Sequence, residues 1–227
     1  MGWAESQIQI RIQEKRVGPA RDIIFEADKG MVDAVVMGRR GLGKIAEVFL
    51  GSVSSKVIQG STEAPVWVIG GKIAPSKILV ALDGSENAKR AVDHLSFILG
   101  NCQDKEIKIL LFNAWPGLIT ISGPRIIPNL SDFPLSQKKY EEKTYPFLDE
   151  CEKLLIDGGL PASSIRKKIC LKCSNIGMAI LSEARKGEYG TIVMGRRGIS
   201  RAKEFFLGSV SQSLLQQARD LAIWIVN

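Results

Sequence analysis

Histidine is all but missing from this sequence: His94 is the only one. Acid–base chemistry run by a pair of imidazoles is thereby excluded, and a zinc site of the common Cys/His type has at most one nitrogen ligand. Cysteine is scarce as well. Four in 227 residues cannot make a disulfide scaffold, and a reducing cytoplasm is the expected compartment. Two of them form a lone Cys-x-x-Cys, Cys170 and Cys173, read as part-buried thiols near a strand end, with a redox pair as the alternative. Long apolar runs are absent too. Ile107 to Ala114 is broken by Lys108 and Asn113 and is far too short to cross a bilayer, so no membrane partner is expected. The first residues show no basic stretch followed by an apolar one, so no secretory leader is expected. No aromatic-and-basic recognition motif occurs, which sets nucleic acid aside as a partner.

What is present is an ordinary globular balance with a surplus of positive charge. The formal charge of +7 and a pI near 9.3 favour anionic ligands, phosphates among them. The stronger signal is a repeat. Glu26 to Ile69 aligns without a gap onto Glu183 to Val226, shifted by 157 positions. Within it Val36–Gly41 recurs unchanged as Val193–Gly198, and Phe49–Ser54 as Phe206–Ser211, while Trp67 falls on Trp224. Two identical hexapeptides at identical separation mean a duplication.

Each copy reads as helix, strand, helix, strand. The spacing predicts helices at Ala20–Lys29 and Ser52–Gln59 and strands at Ala34–Met37 and Val66–Ile69. The second copy repeats this with Ile176–Lys186, Thr191–Met194, Ser209–Ala218 and Ala222–Val226. It also has a front half. Strands are predicted at Lys77–Leu82, Ile107–Asn113 and Ile165–Leu171, with helices at Glu86–Leu99 and Lys138–Ile156, where Pro146 means a kink or a late start. Trp115 to Gln137 reads as a long loop. Strands alternating with helices imply right-handed crossovers and a parallel sheet. The expected fold is therefore α/β: an open, doubly wound, parallel five-stranded sheet, duplicated, with the first copy incomplete. Residues 1–70 form the partial unit, 71–76 the linker and 77–227 the complete unit. Upstream, Ile8–Ile12 is expected as a third strand of the partial unit. The closing strands Val66–Ile69 and Ile223–Val226 are apolar and uncharged, so they are expected to cover each other, within one chain or across a homodimer.

In an open parallel sheet, ligands bind beyond the carboxyl ends of the strands where the winding reverses. Asp83-Gly84-Ser85 follows the first strand of the complete unit, and Gly195-Arg-Arg-Gly198 follows the fourth. Nine residues after Gly198, Gly208 and Ser209 open a helix whose free N–H groups suit phosphate, with the Ser209 and Ser211 hydroxyls as further donors. Arg196 and Arg197 read either as phosphate contacts or as a solvated basic edge, and Trp67 and Trp224 as core or interface packing. Asp83 also has a plainer reading as a helix cap. Gly38 to Lys44 nearly spells a Walker A loop and Gly41 to Ala46 a dinucleotide fingerprint, but Ile45 lacks the hydroxyl and the second copy keeps neither pattern.

The pattern G-x2-G-x9-G-S, occurring twice with an Asp at the end of the first strand, resembles the ATP-binding universal stress proteins, in a tandem form with the first repeat truncated. The resemblance implies an adenine-nucleotide fold and a ligand, ATP or AMP. It places Ala81, Leu82, Asp83, Gly84 and Ser85 beside the ribose and phosphates, and the backbone around Asn113 and Ala114 at the adenine. Met194, Gly195, Arg197, Gly198, Gly208, Ser209, Val210 and Ser211 would wrap the phosphates and ribose. No catalytic residue is expected, and Asp83 is the residue through which Mg²⁺ would be held. The function so implied is a cytoplasmic regulatory or sensor module. A slow ATPase or nucleotide-transfer enzyme and a dimerisation scaffold with a vestigial site are the alternatives.

Overall fold

In the computed structural model, residues 4–39, 50–71, 76–100, 106–116, 137–198 and 207–227 are described. In chain order the elements are α1 (Pro19–Gly30), β1 (Val35–Gly38), α2 (Ser52–Gly60), β2 (Val66–Ile69), β3 (Lys77–Leu82), α3 (Glu86–Leu99), β4 (Lys108–Trp115), α4 (Gln137–Asp157), β5 (Ile165–Leu171), α5 (Ile176–Lys186), β6 (Thr191–Gly195), α6 (Ser209–Gln217) and β7 (Ala222–Val226). The ends of all these strands and helices lie within two residues of the expected positions, with Pro146 inside α4. Most of the predicted loop, and both near-miss glycine motifs beyond Arg39, lie outside the described residues.

The strands form one sheet in the order β1-β2-β7-β6-β3-β4-β5. Every neighbouring pair is parallel except β2 with β7. The β3–β7 part is the expected five-stranded doubly wound sheet, with β3 at its centre flanked by β6 and β4. Strands buried on both faces are near-continuous apolar runs, and β3, β6 and β7 fit that description. On one face α3 and α4 pack Leu95 and Leu148 over Val80, Leu111 and Val193. On the other, α1, α2, α5 and α6 bring Ala20, Val57, Leu181 and Leu214 onto Val68, Leu79 and Ile192.

The duplication is visible in the backbone beyond the aligned residues. α1 starts after Gly18 and α5 after Asn175, 157 positions on. Each helix is followed at matched positions by a residue at positive φ, Met31 (46°) and Glu188 (58°). Carried upstream, the same shift sets Ile8–Ile12 opposite Ile165–Ile169 in β5.

Ile8–Ile12 is nevertheless not a strand, contrary to the expectation. It is irregular, and Ile10 and Ile12 are 83% and 94% exposed. The reason is the lost partner: β5 is held by β4 along its whole length, and no described strand in the first copy corresponds to β4. Alternating isoleucines define a face, but a strand needs a neighbour to take its hydrogen bonds. Cys170 and Cys173 correct a second expectation, since they are brought together as a pair, as in the redox-pair alternative, rather than standing as two separate thiols. Lys172 between them has φ 57°, and this turn sets the two Cα atoms 6.5 Å apart, within disulfide reach. Cys151, buried between α3 and α4, is a free thiol whose pKa burial pushes up to about 12.

β2 and β7 meet as antiparallel neighbours in the register Val66–Ile225, Trp67–Trp224 and Val68–Ile223. The two tryptophans, equivalent by the repeat, stack with ring centroids 3.7 Å apart and planes 2° from parallel. His94 of α3 closes the cluster edge-on, and the Trp67 indole N–H donates to its Nε2 at 3.2 Å.

Candidate functional site

β3 runs between β6 and β4, so the crossovers leave it in opposite directions and a crevice opens at its carboxyl end. Asp83 occupies that position. Its Oδ1 accepts the Ser85 N–H at 3.0 Å, folding a tight turn in which Gly84 takes φ +84°. A side chain at Gly84 would have room but not that backbone angle. Ser85 is the N-cap of α3, its Oγ accepting the Ala88 N–H at 3.2 Å. The capping role thus falls to Ser85, and Asp83 supports the turn before it.

Opposite Asp83 stands the loop after β6. A Cβ built on Gly198 would lie 2.3 Å from Asp83 Oδ2, so a side chain here would push the carboxylate aside. Gly195 has a different job. A Cβ there would lie 2.7 Å from the Asn87 carbonyl carbon, so this glycine lets β6 pass the first turn of α3. The Asn87 amide donates to the Arg197 carbonyl at 3.4 Å and ties that turn to the loop. Gly208 closes the loop by donating its N–H to the Arg196 carbonyl at 3.2 Å. It is also the N-cap of α6, whose first turn has no side-chain cap, with Ser209 exposed and Val210 half-buried.

Ser211 does not stand ready as a donor to a ligand. It is 4% exposed, and its hydroxyl lies 3.4 Å from both the Gly195 and Arg196 carbonyls. Ser54, its counterpart, likewise donates to the Gly38 carbonyl at 3.0 Å. Both copies use this serine to tie the first turn of the helix to the end of the preceding strand.

On the other side of Asp83, the ends of β3 and β4 are pinned together. Ala81 and Leu82 pair with Phe112 and Asn113, and the buried Asn113 amide donates to the Leu82 carbonyl at 2.9 Å. Tyr140 of α4 donates its hydroxyl to Asn113 Oδ1 at 2.7 Å and stacks on Trp115. Burial raises the Tyr140 phenol pKa, the Asp83 carboxylate pushes it the same way, and bonds with Asn113 and Thr144 pull against both. Tyr140 is a wall of the crevice that sequence reasoning missed. It follows a loop of no regular pattern, and only its place in the first turn of an amphipathic helix hinted at it.

The structure therefore sets Ala81–Ser85 beside Asn113 and Ala114 of β4 on one side and Met194 and Gly195 of β6 on the other, with Gly198 against Asp83 and Gly208–Ser211 tied back to the end of β6. Arg196 is neither a phosphate contact nor a solvated edge. It is 3% exposed and points away, across the β2·β7 seam, where its Nη atoms donate to the Ser61 and Gln59 carbonyls at the end of α2. Arg39, its counterpart, does the same in reverse, donating to the Leu215 and Ala218 carbonyls at the end of α6. Burial, and then the neighbouring charge of Arg197, lowers the Arg196 pKa from the usual guanidinium value.

The profile of the Universal stress protein family matches residues 1–70 and 75–220. The chain belongs to that family. Among curated relatives, Universal stress protein Mb2019 of Mycobacterium bovis is 25% identical over 199 residues, which cover 83% of this chain and 57% of that protein. The chain thus spans little more than half the length of this relative. Universal stress protein YxiE of Bacillus subtilis is 29% identical over 143 residues, 62% of this chain and 92% of that one. The crystal structure of a universal stress protein from Archaeoglobus fulgidus superposes with a TM-score of 0.63 at 21% identity, over 92% of this chain and 67% of that one. At that identity the likeness speaks for the fold alone.

Proposed function

We propose that this universal stress protein binds one adenine nucleotide, ATP or AMP, in the crevice at the ends of β3, β4 and β6. It acts there as a cytoplasmic regulatory or sensor module rather than as an enzyme. The partial unit would comprise residues 1–70, the linker 71–76 and the ligand-bearing unit 77–227. The observation that carries the reading is Gly198 set against the Asp83 carboxylate. A side chain at Gly198 would occupy this place, and α6 starts nearby at Gly208 without a side-chain cap, the kind of helix start that suits phosphate. Asp83 would hold Mg²⁺ if the metal accompanies the phosphates. The Asn113 side chain is already engaged, so adenine would be met by the backbone at Ala114 beside the Trp115–Tyr140 stack.

Native mass spectrometry of the purified chain, followed by calorimetry with ATP and AMP, tests this. The expected outcome is a single nucleotide per chain. No bound nucleotide and no heat of binding at millimolar ligand would end the proposal, while conversion of bound ATP to ADP over time would favour a slow ATPase.

A further inference from the structure

β4 and β5 run side by side to their ends, where Ala114 pairs with Cys170 and Trp115 with Leu171. Past the strand, the Cys173 N–H donates to the Trp115 carbonyl at 3.0 Å. Trp115 is the residue whose ring stacks on Tyr140 at the crevice wall. The turn from Cys170 to Cys173 is therefore fastened to the end of β4 that walls the crevice. Its two sulfurs are unequal. Cys173 is 7% exposed and Cys170 half-buried, so one is shielded and the other open to attack. The Cys173 sulfur lies 3.2 Å from the Cys170 carbonyl oxygen, which gives its thiol an acceptor in the reduced form. Between them, exposed Lys172 carries the only charge of the turn and holds a left-handed φ of 57°, uncommon for a residue with a side chain. A bond across two intervening residues restrains the unfolded chain less than a long-range one, so the pair is badly placed as a staple. The repeat agrees: the shift of 157 sets Gln13 and Arg16 at these positions, without cysteine.

We propose that Cys170 and Cys173 are a thiol–disulfide exchange site, and that its redox state sets the nucleotide affinity of the crevice. The second half of this rests on the nucleotide reading given above. The co-reactant is a dithiol. One of its thiolates attacks the accessible Cys170 sulfur, forming a mixed disulfide as the Cys170–Cys173 bond breaks. Cys173 leaves as a thiolate and takes up a proton, and the charge of Lys172 favours both the approach and the departure. The second thiol of the reductant, giving up its proton, attacks the reductant sulfur of the mixed disulfide and releases Cys170, which is protonated in turn. Two electrons and two protons pass to the protein, and the dithiol becomes a disulfide. The opened turn lets Lys172 leave its left-handed conformation, which carries the Cys173 N–H off the Trp115 carbonyl. The end of β4 then loses a fixed neighbour, and the backbone at Ala114 holds adenine less well.

The full chain is oxidised with the thiol oxidant diamide, freed of it, and compared with the same chain after dithiothreitol. Alkylation mapped peptide by peptide should find both cysteines blocked in the first form and open in the second. In the reduced chain Cys170 should be labelled at least about ten-fold faster than Cys173. Amide hydrogen exchange at Cys173 should quicken by at least about ten-fold on reduction. Calorimetry should show ATP bound at least about five-fold more weakly by the reduced chain. The double variant Cys170→Ser, Cys173→Ser should bind ATP like the reduced chain under both conditions. Failure of the two cysteines to pair on oxidation, equal labelling of both, Cys173 exchange indifferent to reduction, or one ATP affinity in both forms would each overturn the inference. ATP bound by neither form would instead end the nucleotide reading, and alkylation and amide exchange, which need no nucleotide, would still decide for or against the exchange site.

Discussion

Two glycines three positions apart do opposite work, and substitution separates them. Gly198→Val places a branched side chain against the end of the half-buried Asp83 side chain, which can yield without unfolding. The expected result is nucleotide affinity lowered at least ten-fold, about 1.4 kcal/mol, with an unchanged melting temperature. Gly195→Ala presses a methyl into the backbone of α3 and should cost stability instead, about 1–3 kcal/mol as overpacking does. Calorimetric titration and thermal melting of both variants would show the split, and equal losses of affinity in stable proteins would refute it. Arg196→Ala is expected to lower stability by about 3 kcal/mol, since it leaves the Gln59 and Ser61 carbonyls at the end of α2 without their charged donor. Denaturant unfolding measures this. Gly198 was readable from motif spacing because its partner is set by the fold's common winding. Arg196 was not, because its partners lie 135 and 137 positions away across a seam no local pattern encodes.

Helix α3 reaches across that seam with one titratable group. The Trp67 indole needs an unprotonated His94 Nε2 to donate to. Burial holds the His94 pKa below its ordinary 6.5, with Asp33 and Asp93 pulling it back up. The folded pKa is thus the lower one. The stability it contributes is fully present above about 6.5 and is lost as pH falls through the folded value. Between pH 8 and pH 5 the urea midpoint should fall further in the natural protein than in His94→Gln, with tryptophan fluorescence as the probe. Parallel pH dependences would dismiss the link. Among elements, runs such as Lys77–Leu82 and Thr191–Met194 were legible as strands because burial on both faces writes itself into composition. Ile8–Ile12 misled for the converse reason: alternation records which face is apolar and says nothing about whether a neighbour exists.

Across the whole molecule, the closing strands join two unequal units into one sheet. Their pairing was legible because both are apolar, uncharged and would otherwise be edges. Val68 is fully buried opposite Ile223. Val68→Lys there should cost about 3–5 kcal/mol as an unpaired buried charge. Limited proteolysis should then cut within residues 4–71 while β3–β7 stays resistant; equal resistance of both parts would show that the seam does not hold the first unit. The seam also imposes an order in time. Trp67 leaves the ribosome 157 residues ahead of the Trp224 it stacks on. At translation rates of about 5–20 residues per second that is roughly 8–30 s, during which β2 has no β7 to pair with. The unit made first therefore cannot complete its pairing until the last strand of the chain is made, and its apolar strand must be kept from other nascent chains until then.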